Sequence, residues 1–486
     1  MELVYRSTRN AQETATASMA ILKGLANEGG LFVPDTIPAF DKSLEELSKM
    51  DYREVAYQVM KLMLTDFTEE ELRHCINSAY DSKFDTKEIA PLVHKAGAYY
   101  LELFHGATIA FKDMALSILP YLLTTSAKKN DVKNEIVILT ATSGDTGKAA
   151  LEGFKDVPGT EIMVFYPVEG VSDMQKRQMV TQEGENVTVC AVKGNFDDCQ
   201  SGVKKIFTDH TVLDALEKGG MTFSSANSIN WGRLVPQIVY YVSSYVSLAE
   251  SGEIAYGDLL NVVVPTGNFG NILAAYYAKM MGVPLGKLIC ASNINKVLTD
   301  FIRTGVYNRN RQFYPTTSPS MDILISSNLE RLLYHVSGSS AKVAGWMADL
   351  AKTGMYTVDA ETLARIQASF ACGCADDTAG AAEINARFEQ DNYLCDTHTA
   401  VAFCVAETVR SAAPMVVLST ASPYKFPRDV LAALGETAPE SDFAAMAALN
   451  VKTGCPVPAS LSVLNTLPVR FNTVIEPAAI RDAALK

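Results

Sequence analysis

The sequence has few aromatic residues (9%), no surplus of positive charge and no ordered cysteine spacing. The net charge of −13 argues against a nucleic-acid or anionic-membrane partner, and no basic patch offsets it. Nine cysteines, Cys75, Cys190, Cys199, Cys290, Cys372, Cys374, Cys395, Cys404 and Cys455, are odd in number and scattered, which excludes a disulfide framework and fits reduced thiols. The opening MELVYRSTRN carries charges where a signal peptide needs an apolar core, so a cytoplasmic location is expected. The longest uncharged stretch, 259–278, reaches membrane-spanning length. Its centre holds Pro265, Gly267, Asn268, Gly270 and Asn271, so it reads as strand, loop and helix.

What is present is an ordinary globular composition, 48% hydrophobic and 20% charged, which excludes intrinsic disorder. A chain of 486 residues allows two or three units with substantial cores. Residues 1–95 read as one short strand followed by mainly helical segments. Thr68 to Glu71 forms a T-x-x-E capping box ahead of ELRHCINSAY. From about residue 98 the pattern is strand, turn, helix, repeated. Apolar runs at 98–104, 135–140, 161–166, 186–192, 260–265, 285–291 and 415–420 have strand length, with amphipathic segments between them. Continuous rather than alternating apolar runs imply sheets covered on both faces. The expectation is an α/β fold of two open, mostly parallel twisted sheets with covering helices. The expected units are 1–95, 96–235 and 236–486, and 308–320 reads as a surface loop.

In open parallel sheets ligands bind where strands end, so the strand-to-helix turns carry the information. PTGNFGNILAAYYA (265–278) sets Gly267, Asn268, Phe269, Gly270 and Asn271 before a helix start, a cradle for a phosphate. Its spacing fits neither an ATP P-loop nor a dinucleotide fingerprint, and a plain tight turn is an equal reading. TATSGDTGKAA (140–150) offers Ser143, Gly144, Asp145 and Thr146 for a carboxylate, or an Asx-type turn capping a helix. Lys112, in HGATIAFKDMAL, stands among apolar and small residues, where partial desolvation suits an imine-forming amine. A helix lysine paired with Asp113 is the alternative. Thr420 ends a strand in STASPYKFP and offers one hydroxyl. A zinc site from Cys372, Cys374, Cys395 and His398 is disfavoured by spacing, and no metal is expected. His105 and His398 read equally as site or structural histidines.

In this order the pieces resemble the threonine synthases of the long form, within the pyridoxal-phosphate enzymes of the tryptophan-synthase-β structural class. The likeness runs through STR (7–9), GLANEGGLFVP (24–34), HGATIAFKD, TSGDTGKAA, NSINWGRL, PTGNFGN, SMDILISSNLERLL, DTHTAV and STASPYKFP. The resemblance implies that Lys112 holds the aldehyde of pyridoxal 5'-phosphate as a Schiff base. It assigns the cofactor phosphate to Gly267, Asn268, Phe269, Gly270 and Asn271, and the pyridine nitrogen to Thr420. It assigns the substrate carboxylate to Ser143, Gly144, Asp145 and Thr146, and the substrate phosphate to Asn227, Ser228 and Arg233. Ala107 departs from the proline of many relatives; Lys148 is left without a role. The implied reaction takes O-phosphohomoserine and water to threonine and phosphate, by elimination at Cγ and addition of water at Cβ. A serine or threonine dehydratase or a cysteine synthase would share the lysine and phosphate loop, and a nucleotide-binding kinase could use the glycine turns alone. Monomer and homodimer remain open.

Overall fold

The continuous apolar runs become the strands of two sheets in a computed structural model that describes residues 2–95, 97–142, 144–169 and 171–485. The larger sheet has the order Phe370–Cys374, Leu285–Ser292, Leu260–Pro265, Met415–Ser419, Ala98–Glu102, Leu92–Lys95. All its pairings are parallel except the edge hairpin of Leu92–Lys95 with Ala98–Glu102. The smaller sheet is parallel throughout, in the order Val474–Ile475, Val187–Val192, Thr160–Pro167, Glu135–Ala141, Met221–Ser224. Helices cover both sheets, as continuously apolar strands require. Leu260–Pro265 is buried at every position.

The helix Trp231–Glu250 is buried along almost its whole length and packs against Tyr52–Met63 and Gly270–Met280. Its sequence explains this, because Trp231, Tyr240, Tyr241 and Tyr245 share it with four valines and one isoleucine. The 259–278 stretch folds as expected into the strand Leu260–Pro265, a turn and the helix Gly270–Met280. No helix among the described residues is long and apolar enough to cross a membrane.

Two expectations need amendment. The N-terminal segment has not one strand but four: Thr14–Ala15, Tyr5–Ser7 and Phe32–Pro34 form an antiparallel sheet, and Leu92–Lys95 joins the larger one. Its capping box is present: Thr68 Oγ1 accepts from Glu71 N at 3.2 Å, and Glu71 Oε2 accepts from Thr68 N at 2.8 Å. The sheets also do not follow boundaries at 95 and 235. Ala98–Glu102 joins the larger sheet, and Val474–Ile475 returns from the far end of the chain to the smaller one. Strand pairing is set by edge complementarity in space, which position along the chain does not report.

Candidate active site

Four loops meet, two following strands of the larger sheet and two following strands of the smaller one. The first is the glycine turn. Phe269 adopts left-handed backbone (φ 63°), and burial of its ring beside Phe370, centroids 5.5 Å apart, offsets the strain. A Cβ at Gly267 would collide with the Ser320 carbonyl oxygen. Ser326 Oγ donates to Gly267 O at 2.8 Å, and Asn328 donates to Asn268 O from its backbone N at 3.0 Å and from Nδ2 at 3.1 Å. The hydroxyls of Tyr240 (2.7 Å) and Tyr241 (2.5 Å) both donate to Asn271 Oδ1. That fixes the amide orientation and leaves Asn271 Nδ2 buried without a partner. The opening amides of the helix Gly270–Met280 likewise have no partner within the helix.

The second loop carries Lys112 and is fastened to the neighbouring strand end. Phe111 N donates to Thr420 O at 2.8 Å, Ser422 N donates to Ile109 O at 3.0 Å, and Ala110 bridges Ala421. Asp113 does not pair with Lys112. Its carboxylate accepts from Thr108 N (2.8 Å) and Thr108 Oγ1 (2.6 Å), and burial pushes its pKa up to about 6. Lys112 Nζ instead lies 3.4 Å from Ser320 Oγ and 3.7 Å from Asp145 Oδ2, with the side chain 13% exposed. Burial lowers its pKa; Asp145 works against that, while Lys425 and Arg233 add to it. Ser320 therefore touches the amine with its hydroxyl and crowds the glycine turn with its carbonyl. The amine and the turn thus meet on one residue.

The third loop follows Glu135–Ala141. Thr142 Oγ1 accepts from Gly144 N and Gly147 N, both at 3.0 Å, and shapes the turn. Gly144 adopts a backbone conformation (φ 142°) that side-chain-bearing residues rarely take, and a Cβ there would displace the end of the Gln175 side chain. Burial alone would raise the Asp145 carboxyl. Lys425 Nζ at 3.2 Å, Lys112 and a hydrogen bond from Gln175 Nε2 at 2.9 Å instead hold it well below the usual range. Thr146 is half-buried in the same turn, and Ser143 lies outside the described residues. Lys148 pairs with Glu152 at 3.0 Å and with Gln182, which occupies its charge locally.

The fourth loop runs into the helix Trp231–Glu250. Arg233 donates from Nη1 to Ala226 O at 2.6 Å. Its Nε is buried without a partner, and burial lowers its pKa to about 10. Ser228 O accepts from Asn328 Nδ2 at 3.2 Å, so Asn328 joins this loop to the glycine turn; Asn227 is exposed. The cluster sets the cations Lys112, Lys425 and Arg233 against the carboxylates of Asp145 and Asp113, a positive balance that favours anionic ligands.

Lys425, Ser320 and Asn328 carry no role in the sequence reading, although each lies in a quoted segment. Lys425 is fully buried and also donates to Thr108 O (3.2 Å) and Gln178 Oε1 (3.0 Å). Neither histidine offers a free ring nitrogen. His398 is bound to Asp396 and to Ser320 N, and His105 bonds Asp85 (2.6 Å) and Glu102 (3.0 Å).

Comparison with known proteins gives three family matches: "Threonine synthase N terminus" at residues 4–80, "Pyridoxal-phosphate dependent enzyme" at 89–406 and "Threonine synthase, C-terminal" at 399–483. The threonine synthase of Saccharomyces cerevisiae is 36% identical over 87% of each chain. The chain belongs to the threonine synthase family. A pyridoxal-phosphate-bound threonine synthase structure from Brucella melitensis superposes with a TM-score of 0.89, at 37% identity and covering 99% of each chain. Human "Threonine synthase-like 1" is 40% identical over 86% of this chain, which spans 58% of that relative's length. As a pyridoxal-phosphate-dependent family, the threonine synthases share the cofactor that this site fits. The orphaned Asn271 Nδ2 and the amides after Phe269 suit a phosphate, and the partly desolvated Lys112 suits an aldehyde.

Proposed function

We propose that the protein converts O-phosphohomoserine and water to threonine and phosphate, as a carbon–oxygen lyase of threonine biosynthesis. The observation that carries this reading is Arg233, a buried cation with a free Nε, close enough to act on Lys112 and on a different loop from the glycine turn. A dehydratase or cysteine synthase needs one phosphate site, for the cofactor; on this reading Arg233 belongs to a second. When bound, pyridoxal phosphate supplies an electron sink for charge at the substrate α-carbon. Residues 267–271 would hold its phosphate and Thr420 would face its ring nitrogen. Lys112 would hold the aldehyde, then serve as the base that removes the Cα proton. The turn of Ser143, Gly144, Asp145 and Thr146 would receive the substrate carboxylate, with Lys425 offsetting the charge of Asp145. Arg233, with Asn227 and Ser228, would bind the phosphate that leaves. A cytoplasmic location is part of this reading, supported by nine cysteines none of which forms a disulfide.

The test is incubation of the purified protein with O-phosphohomoserine, with phosphate and threonine assayed together. Equal release of the two is expected, and Lys112→Ala should lower turnover by about two to four orders of magnitude. Release of ammonia and a 2-oxo acid from serine or threonine, without phosphate, would establish the dehydratase reading instead.

A further inference from the structure

The segment 316–322 is held far more tightly than a surface loop requires. Asn293 Nδ2 donates to Ser318 Oγ (3.0 Å) and Asp322 Oδ1 (2.7 Å), Asn295 Nδ2 donates to Asp322 Oδ1 (3.0 Å), and Thr397 Oγ1 donates to Thr317 O (2.7 Å). At its centre Ser320 N donates to His398 Nε2 at 3.1 Å. Because Nε2 accepts, the ring proton sits on Nδ1, which donates to Asp396 Oδ2 at 2.7 Å. Asp396 is fully buried and also accepts from His398 N and Thr399 N, each at 3.0 Å, at the start of the helix Thr397–Thr408. Its charge is satisfied without a cation.

All of this fixes one hydroxyl, Ser320 Oγ, 3.4 Å from Lys112 Nζ. Among the described residues, Asp145 Oδ2 also lies near that nitrogen, at 3.7 Å. The two differ in chemistry. A carboxylate only accepts, so it favours the ammonium form. A hydroxyl accepts from an ammonium and donates to the lone pair of a neutral amine. An amine that must take up a proton and give it back needs a partner competent in both states.

We propose that Ser320 is a catalytic partner of Lys112, hydrogen-bonded to Nζ in both protonation states, and that Asp396 and His398 are positioning residues that set its hydroxyl through the Ser320 amide. No covalent bond to Ser320 forms, and Ser320 keeps its own proton throughout; the substrate proton is carried and returned by Nζ. When Nζ receives the substrate proton, the hydroxyl turns from donor to acceptor. The inference rests on Lys112 being the reacting amine.

The test uses full-length, cofactor-loaded wild type, Ser320→Ala, His398→Ala, His398→Gln and the Ser320→Ala/His398→Ala double variant. Two quantities are measured: the pH at which the visible absorbance of the bound cofactor changes, and kcat and KM for O-phosphohomoserine. Ser320→Ala should lower kcat by roughly ten- to a hundredfold, keep KM within about twofold and shift the absorbance midpoint. His398→Ala should match it, and the double variant should be no worse. His398→Gln offers Oε1 where Nε2 stood and should recover most of both readouts. Wild-type kcat with an unshifted midpoint in Ser320→Ala overturns the proposal, as do additive losses in the double variant. If His398→Ala does not fold, Ser320→Ala and His398→Gln decide alone. If the wild type shows the absorbance but no turnover, the substrate reading fails, while the midpoint of Ser320→Ala still decides this one.

Discussion

Arg233 is a cation without a counter-charge. Burial lowers its pKa to about 10, so at every lower pH the fold carries an uncompensated buried charge that opposes folding. That penalty lifts only as pH rises through about 10, outside the working range. A bound phosphate would remove it at neutral pH. We therefore expect Arg233→Met, in cofactor-loaded protein, to gain about 1–3 kcal/mol of stability in phosphate-free buffer. Added inorganic phosphate should raise the melting temperature of the wild type and leave the variant unmoved. A variant that melts lower and still responds to phosphate would remove Arg233 from the anion site. Arg233 was legible in the sequence because NSINWGR names it by type and position. Lys425 was not, because its partner Asp145 lies 280 residues earlier and only the fold brings the two to 3.2 Å. Ser320 was hidden for a similar reason, since a serine shows its chemistry only through what its hydroxyl faces.

Among the elements, the glycine turn is where the sequence reading and the structure meet most closely. The strand Leu260–Pro265 was anticipated residue for residue, and Gly267 proves to be required by close approach rather than by backbone conformation. Gly267→Ala must push either the turn or Ser320 away, at about 1–3 kcal/mol for overpacking. Cofactor affinity should fall roughly ten- to a hundredfold, as measured by absorbance titration, with the melting temperature of the cofactor-free chain changed much less. Unaltered cofactor affinity would mean that the turn does not hold the phosphate. Among the strands that escaped the sequence reading, Leu92–Lys95, Met221–Ser224 and Phe370–Cys374 are less buried than their neighbours in the sheets. Phe370–Cys374 contains Gly373, whose position against Val405 leaves no space for a side chain. Such strands exist because a neighbour offers a ladder, as Leu285–Ser292 does, and local propensity reports this poorly.

Across the whole molecule, the two sheets are tied by a tail that leaves the larger sheet after Met415–Ser419 and ends on the smaller. Arg177 Nη2 donates to Leu467 O at 2.6 Å, while Arg470 N and Phe471 N donate to Val180 O at 2.8 and 3.1 Å. Val474 and Ile475 then pair in parallel with Ala191 and Val192, and Ile480 is buried in the cluster around Cys199, Val203 and Val212. The short polar-flanked run NTVIEP gives no local signal of this, since two residues make no period. The tail stabilises in two separable ways: burying Ile480 contributes about 1.5–3 kcal/mol, and covering Val187–Val192 denies other chains an open strand edge. Ile480→Ala should therefore lower stability by about 2–4 kcal/mol yet leave the protein monodisperse, because the edge stays paired. Removing residues 470–486 should cost at least as much and also produce concentration-dependent association in light scattering. A truncated chain that melts with the full-length protein and stays monodisperse would show that the smaller sheet stands without its clasp.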